Sequence, residues 1–325
     1  RFMKEHRMAD TRRDQQLVVK KAVMRFELYK QKSANKTFRF NVKTVTLATM
    51  NELWDFLKNE HIISKDYPEL YTEVKGSQSV VSERGRNTLV GFMKRLKVFF
   101  SWCIDEGIIR ESPLSGFDMP AEKYGTPIYI TKEEIHKIFN HDFSAEPHLD
   151  RQRDIFVFQC CTACRVGDLM RLTRADIING ALEYIPSKTI EENQDTVVVP
   201  LNKTAQQILE KYKDYAGPKL FPFISPQKYN ETIKVIFEKV GITRLVTWLN
   251  PKTGKEEKRP INELASSHMA RRTFIGNTYK VVRDPNIVAS MSGHAEGSRA
   301  FSRYREIDRE IKADAVSYPD LEDKK

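Results

Sequence analysis

An arginine set inside an apolar run is the first residue whose type and surroundings suggest chemistry. Arg165 follows Phe156-Val157-Phe158-Gln159-Cys160-Cys161-Thr162-Ala163-Cys164 and precedes Val166-Gly167-Asp168-Leu169. Such a setting strips water from a guanidinium, and a desolvated cation is costly unless it is paired. Asp168, three residues on, shares a helical face with Arg165 and can hold its fork in one orientation. A buried ion pair and an anion site fit these two residues equally well. His268 and Arg271 repeat the spacing of three just after Ser266-Ser267, a predicted N-cap, so both side chains project from one helical face. Together they suit a phosphate: the arginine offers parallel donors to non-bridging oxygens, and the imidazole takes or gives a proton near neutrality. As a lone pattern, H-x-x-R arises often by chance. Arg272 points elsewhere on the helix, to a surface or a DNA backbone. A third group, Ser292-Gly293-His294, precedes Tyr304, which Arg303 and Arg305 flank. A phenol titrates near pH ~10 and becomes a nucleophile only when a base or nearby cations stabilise its phenolate. Taken singly, Tyr304 reads as a packing residue.

These groups need elements to hold them. Residues 155–172 predict a buried helix, a turn and a shorter helix. The period then changes: Leu182 to Ile185 and Thr196 to Val199 read as strands around the polar connection 186–195, a β-hairpin with a long tip. Val246-Thr247-Trp248 and the turn Asn250 to Gly254 mark a second hairpin. Residues 201–213, 229–240, 268–281 and 301–314 are helical in pattern, and Thr131 with Glu134 forms a capping box opening this half.

The preceding half is helical. Residues 14–30 place Leu17, Met24 and Leu28 on one stripe, and a capping box from Thr49 to Glu52 opens a helix carrying Leu53, Phe56 and Leu57. From Thr88 to Ile104, Leu89, Phe92, Met93, Leu96, Phe99, Phe100 and Cys103 recur at three- and four-residue spacing. Arg84, Arg86, Lys94, Arg95 and Lys97 fall on its polar side with no acid from Arg84 to Lys97, and Gly91 offers a close approach to another backbone. From composition alone this is a solvated charged face. Breakers from Ser112 to Pro127 separate the halves, giving an expected tail at 1–13, a helical domain at 14–118, a linker at 119–128 and a second domain at 129–325.

The 325 residues carry 54 Lys+Arg against 44 Asp+Glu, a formal net charge of +10, with 40% hydrophobic residues, which excludes wholesale disorder and supports two cores. No apolar run approaches the ~18–20 residues that span a bilayer, and the basic start has no apolar stretch behind it. A cytoplasmic protein in a reducing compartment is expected. Cys103, Cys160, Cys161 and Cys164 make no disulfide framework, and Cys161-x-x-Cys164 lacks a second ligand pair, so they read as small buried hydrophobes with no metal. His136, His141 and His148 match no ligand spacing and read as a solvated loop.

In their joint order, Arg165, Lys188 in the first hairpin, His268-x-x-Arg271, Gly293-His294 and Tyr304 resemble the tyrosine recombinase (phage integrase) family across nearly the whole chain. Residues 86–113 are similar to the last helices of the family's core-DNA-binding domain, and 128–318 to its catalytic domain. Ser266 to Phe274 and Leu220 to Asn230 look closest to integrases of mobile elements such as conjugative transposons. The chain departs from the pattern at Thr162-Ala163-Cys164-Arg165, where Thr-Gly-Leu-Arg is commoner, at Asp168 in place of Glu, and in a His294-to-Tyr304 gap one residue longer than usual.

The resemblance implies a mainly α fold with small β-hairpins (α+β), built as a two-domain DNA clamp. It implies that Tyr304 attacks the scissile phosphate to give a 3′-phosphotyrosyl link, with Arg165 and Arg271 clamping the non-bridging oxygens. Lys188 would protonate the leaving 5′ oxygen, His268 would assist proton transfer from Tyr304, His294 would hydrogen-bond the phosphate, and Asp168 would orient the set. The basic face of Arg84, Arg86, Lys94, Arg95 and Lys97, with Arg272, would then track DNA phosphates. Because the covalent link conserves the phosphodiester energy, no metal or nucleotide cofactor is expected. Expected partners are double-stranded DNA attachment sites, a homo-tetramer on DNA and accessory DNA-bending or directionality proteins, with no membrane and a nucleoid location. The tail beyond Arg305, with Ile307, Ile311 and Val316, would pack on a neighbouring subunit. A chain that starts at Arg1 rather than Met leads us to expect a missing N-terminal segment. The competing expectations are a type-IB-like topoisomerase, and a DNA-binding regulator that would tolerate loss of Arg165 or Tyr304.

Overall fold

A computed structural model describes residues 2–5, 10–74, 82–187 and 195–294. The chain is mainly helical with small antiparallel sheets, and it divides into one unit of Arg1–Tyr124 with Leu249–Glu256 and another of Gly125–Trp248 with Glu257–Lys325. Lys188, Tyr304 and the helical pattern at 301–314 lie outside the described residues.

The first unit holds α1 (Phe2–Glu5), α2 (Asp10–Ser33), α3 (Leu47–Asp66), α4 (Glu69–Thr72) and α5 (Arg86–Asp105). Residues 10–13 belong to α2, and Phe2 packs on Phe99 and Trp102 at 5.4 and 5.3 Å between ring centroids, where the sequence suggested a tail. The stripe expected on α2 is partly rotated: Leu28 packs against the core, but Leu17 and Met24 are exposed, and Val19, Ala22 and Phe26 face the core. Phe26 meets Phe38, Phe40 and Phe56, a larger apolar area than Leu17 and Met24 offer. The N-cap of helix α3 is Thr46, three residues before the predicted one at Thr49, and Thr49 closes the reciprocal bond. Leu53, Phe56 and Leu57 are buried as expected, as are Leu89, Phe92, Met93, Leu96, Phe100 and Cys103 of α5. Among the described residues no backbone approaches Gly91: a Cβ there meets the Arg95 side chain.

Beneath these helices Glu60 is buried to 0% exposure. Its carboxylate takes Arg25 Nε and the Tyr71 hydroxyl, each at 2.6 Å, and forms an ion pair with Arg84. Burial, and then the Glu60 hydrogen bond, push the Tyr71 phenol well above its ordinary range. Both arginines stack on rings, Arg25 on Tyr71 at 5.0 Å and Arg84 on Phe92 at 5.3 Å. One carboxylate thus ties α2, α3, α4 and the entry to α5. Removing one partner of a buried ion cluster leaves uncompensated charge at a cost of ~3–5 kcal/mol. Glu60→Ala should therefore lower the urea midpoint of this unit sharply, and an unchanged midpoint would show the cluster to be dispensable.

The second unit begins with α6 (Lys132–Asn140), whose Thr131–Glu134 capping box forms as predicted. Next come α7 (Pro147–Thr162) and α8 (Val166–Leu169), then β1 (Ile177–Ile178), β2 (Ala181–Tyr184) and β3 (Val197–Pro200) in an antiparallel sheet of order β1-β2-β3. Leu182 pairs with Val199 and Tyr184 with Val197, turning these four side chains inward while Val198 faces out. After α9 (Lys203–Lys211) and α10 (Pro226–Val240), β4 (Leu245–Leu249) and β5 (Glu256–Pro260) make the second hairpin. Ser225 caps α10, Pro226 occupies its first turn, and Gly241 ends it at φ +75°. The last elements among the described residues are α11 (Ile261–Leu264), α12 (Ser267–Val282) and α13 (Pro285–Ser292).

Helix α7 is buried on nearly every side, which is why residues 155–162 read as a continuous apolar run. Its buried Asp154 takes Arg153, Lys211 and the Tyr212 hydroxyl. Helix α12 lies against α7 and is pinned by Thr273 Oγ1, which accepts the Ile130 amide at 3.2 Å, and by Asn277, which donates to the Ile130 carbonyl at 3.1 Å. The three histidines read as a loop are otherwise placed. His136 is exposed on α6, His141 ends that helix against the Phe143 ring at 4.5 Å, and His148 lies in the first turn of α7.

Candidate active site

The site forms where α7 ends. Ala163 reverses the chain in the left-handed region at φ +55°, and Arg165 occupies the extended N-cap position of α8. The turn is braced from below: Gln159 donates to the Cys164 carbonyl at 2.8 Å, and the buried Tyr229 hydroxyl donates to Gln159 at 3.1 Å. Burial raises the Cys164 thiol to about 11 and carries Cys160 well above the ordinary thiol range. Cys161 is half-buried. Among the described residues no cluster of His, Cys, Asp and Glu could hold a metal ion.

Arg271 of α12 reaches this turn. It is 1% exposed, and its Nη1 donates to the Ala163 carbonyl at 2.8 Å. Its Nη2 lies 3.1 Å from His294 Nδ1 and 3.2 Å from Nε2. A donor in the ring plane that close to both nitrogens would strike Cε1, so the guanidinium stands over the imidazole face. Arg165 enters from the other side, with Nη2 donating to the Gly293 carbonyl at 2.9 Å. Arg165, Arg271 and His294, distant in sequence, therefore meet at the ends of α7, α12 and α13.

Gly293 makes this meeting possible. It sits at φ +61°, and a Cβ would come 3.0 Å from Val197 Cγ2 and 3.4 Å from Pro186 Cγ. Left-handed backbone costs a non-glycine residue roughly 1–2 kcal/mol, and the crowding adds to it. Gly293→Ala should lower the thermal midpoint and loosen Arg165; a variant as stable as the wild type would remove this constraint.

Asp168 faces Arg165 as the spacing suggested, but only as a loose ion pair. Its Oδ2 stands 4.0 Å from Arg165 Nη1, and neither atom makes a hydrogen bond. Its Oδ1 is the engaged oxygen, accepting the Ser187 amide at 2.9 Å, the Ser187 hydroxyl at 2.8 Å and Arg171 Nη2 at 2.7 Å. The carboxylate faces the strand exit at Ser187 because an amide and a hydroxyl reach one oxygen from the same turn. Ser187 immediately precedes Lys188, and no residue-type signal marked it. The carbonyls of Ala163 and Gly293 were equally invisible, since every residue carries one.

His268 lies on the first turn of α12 and is exposed, and Arg272 is half-buried one residue past Arg271. Ser266 occupies the N-cap position, but its side chain makes no capping bond; Asn230 Oδ1 accepts the Ser267 amide at 2.8 Å instead.

The basic residues of the first unit do not form one stripe. Arg84 turns inward to Glu60 and to the Leu57 carbonyl, so the expectation that it faces DNA is corrected: the acid that claims it lies on α3, outside the window that looked purely basic. Arg86 donates to the Ala121 carbonyl at 2.7 Å and Arg95 to the Gln15 side chain at 3.1 and 3.2 Å. Lys94 pairs with Glu122 at 2.6 Å, and Lys97 is exposed. The hydrogen bond from Lys94 holds the Glu122 carboxyl below its usual range.

The phage integrase family model matches residues 129–310, more than half of the chain. The tyrosine recombinase XerD of Listeria monocytogenes (serotype 4b, strain F2365) is 23% identical over 227 residues, covering 69% of this chain and 74% of XerD. The solved structure of a lambda integrase tetramer bound to a Holliday junction is similar at a TM-score of 0.58 and 15% identity, covering 93% of this chain and 74% of that one. The structure of the Tn1549 transposon integrase (residues 82–397) in complex with circular intermediate DNA is similar at 0.56 and 15%, covering 97% and 95%. At these identities the structural likeness speaks for the fold. Among the described residues no helix is long and apolar enough to cross a membrane.

Proposed function

This chain belongs to the phage integrase family and is a tyrosine recombinase of integrase type, and we propose on that premise how its residues cut and rejoin double-stranded DNA at attachment sites. The observation that carries the reading is the convergence of Arg165, Arg271 and His294 around one point, each oriented by backbone carbonyls or buried neighbours. Two fixed guanidinium groups stabilise the two non-bridging oxygens of a phosphodiester and the added charge of a pentacoordinate transition state. Tyr304 Oη attacks phosphorus, its proton passing towards His268, while the bond to the 5′ oxygen breaks and that oxygen takes a proton from Lys188. The product is a 3′-phosphotyrosine and a free 5′-hydroxyl. Attack by a 5′-hydroxyl on that link reverses every transfer and rejoins a strand without ATP. Asp168 serves the reaction through Ser187, by holding the chain that leads into Lys188.

On this reading Lys94, Lys97 and the other basic side chains outside the core meet phosphates, which supply affinity rather than sequence choice. The division into residues 14–118 and 129–325 corresponds to a core-binding and a catalytic domain, working on DNA in the nucleoid as a homo-tetramer with accessory bending or directionality proteins. The lambda integrase tetramer on a Holliday junction is the precedent for that assembly, and the Tn1549 integrase is the precedent for a mobile-element origin.

Covalent trapping on a nicked attachment-site duplex tests the chemistry. Wild type should give an SDS-stable protein–DNA adduct and Tyr304→Phe none; an adduct with Tyr304→Phe would assign the nucleophile elsewhere. Arg165→Ala should slow adduct formation by ~10²–10³-fold, the usual loss for one preorganised donor, and an undiminished rate would remove Arg165 from the phosphate. Deleting residues from Asp308 onward should leave monomer binding in gel shifts and weaken the tetramer; unchanged assembly would place the subunit contact elsewhere. Relaxation of a plasmid without any recombination site would indicate a topoisomerase instead.

A further inference from the structure

The ring of His294 is held by a side chain outside the catalytic set. Ser292, the last residue of α13, is 0% exposed. Its Oγ lies 2.8 Å from the Val288 carbonyl, 3.2 Å from the Ala289 carbonyl and 2.8 Å from His294 Nδ1. A hydroxyl has one proton and two lone pairs, and a carbonyl oxygen can only accept. At 2.8 Å from the Val288 oxygen, Oγ must donate to it, because two oxygens that close without a proton between them repel. The serine proton is thereby committed to the helix, and only lone pairs face Nδ1. A nitrogen 2.8 Å from a lone pair must itself carry the hydrogen.

We propose that Ser292 is a positioning residue that fixes neutral His294 as the Nδ1–H tautomer, so that Nε2 is the nitrogen carrying the lone pair. The consequence for the reaction rests on the recombinase reading; the tautomer itself does not. A lone pair at Nε2 cannot donate to a phosphate oxygen, so His294 serves as a phosphate donor through Nε2 only as the doubly protonated ring. The charged groups facing it among the described residues are Arg271 from α12, over the ring, and Arg165 from the start of α8, bonded to the adjacent Gly293 carbonyl. Val197 of β3 and Pro186 approach the same glycine without charge. A fixed tautomer thus makes His294 a phosphate contact whose donor proton arrives with, or before, the DNA.

Histidine side-chain ¹H–¹⁵N correlation spectra of the full chain without DNA test this, with His294→Gln identifying the His294 signals among the seven histidines. In wild type, at a pH where His294 is neutral, Nδ1 should be the protonated nitrogen and Nε2 the unprotonated one. Ser292→Ala should move His294 toward the Nε2–H form while the other histidines keep their signals. A wild-type ring protonated on Nε2 would overturn the proposal whether or not the alanine variant folds. An unchanged tautomer in Ser292→Ala would overturn it as well. Absence of any wild-type adduct would count against the recombinase reading while leaving the tautomer result intact.

Discussion

A guanidinium that is 1% exposed sets the terms for everything around it. Arg271 cannot keep its hydration, so each of its donors has to meet an acceptor or a π face in the interior. The Ala163 carbonyl meets one of them, and it can do so only because the chain turns back through a left-handed residue at the end of α7. That reversal frees Arg165 from the helix and sets it at the head of α8, where its own donor finds the Gly293 carbonyl. The backbone at Gly293 is itself left-handed, which brings His294 beneath Arg271. Burial of one cation thus couples the ends of three helices, and the polar site follows from satisfying it. Tyr229 and Gln159 extend the same logic inward by holding the turn from the core side.

Patterns of long reach are legible in the sequence. The α5 repeat appeared in sequence because burial of one helical face leaves a period, the run that became α7 because burial on nearly every side leaves a continuous apolar stretch, and β2 and β3 because short β-branched and aromatic runs flank a polar connection. The H-x-x-R spacing of α12 and the Arg165–Asp168 spacing were equally visible. Less legible was anything decided by competition between similar faces. On α2, Leu17 and Met24 look as apolar as Val19, Ala22 and Phe26, but the neighbouring Phe38, Phe40 and Phe56 make the second face the better one to bury. Partners remote in sequence were hidden too. Arg84 looked like part of a basic face until Glu60, on another helix, claimed it. Asn230 took the capping bond that two adjacent serines seemed bound to supply.

Charge on the first unit shows why position matters more than count. Glu60 holds its arginines in a dry site where separation would be expensive, so they contribute to cohesion and not to any ligand. Lys94 is different. Its pairing with Glu122 is exposed, and exposed pairs contribute only ~0–1 kcal/mol, so a DNA phosphate could displace the carboxylate at little cost. Two kinds of basic residue, identical in a composition table, therefore have opposite availability.

Asp168 and Arg165 show the same distinction at the candidate site. A carboxylate beside an arginine can saturate it and thereby compete with an anionic ligand. Here Oδ1 is occupied by Ser187 and Arg171, and the other oxygen stays 4.0 Å from Arg165 Nη1, close enough to orient the guanidinium and too far to bond it. Nη1 is consequently a buried donor without a hydrogen bond, a condition that costs ~1–3 kcal/mol in a folded protein. On the proposed reading a phosphate oxygen relieves that cost, so part of the binding energy is stored in the protein before DNA arrives. A Glu at position 168, one methylene longer, would have the reach to close the gap to Arg165. The shorter Asp holds Ser187 on one oxygen and leaves the Arg165 Nη1 donor unbonded.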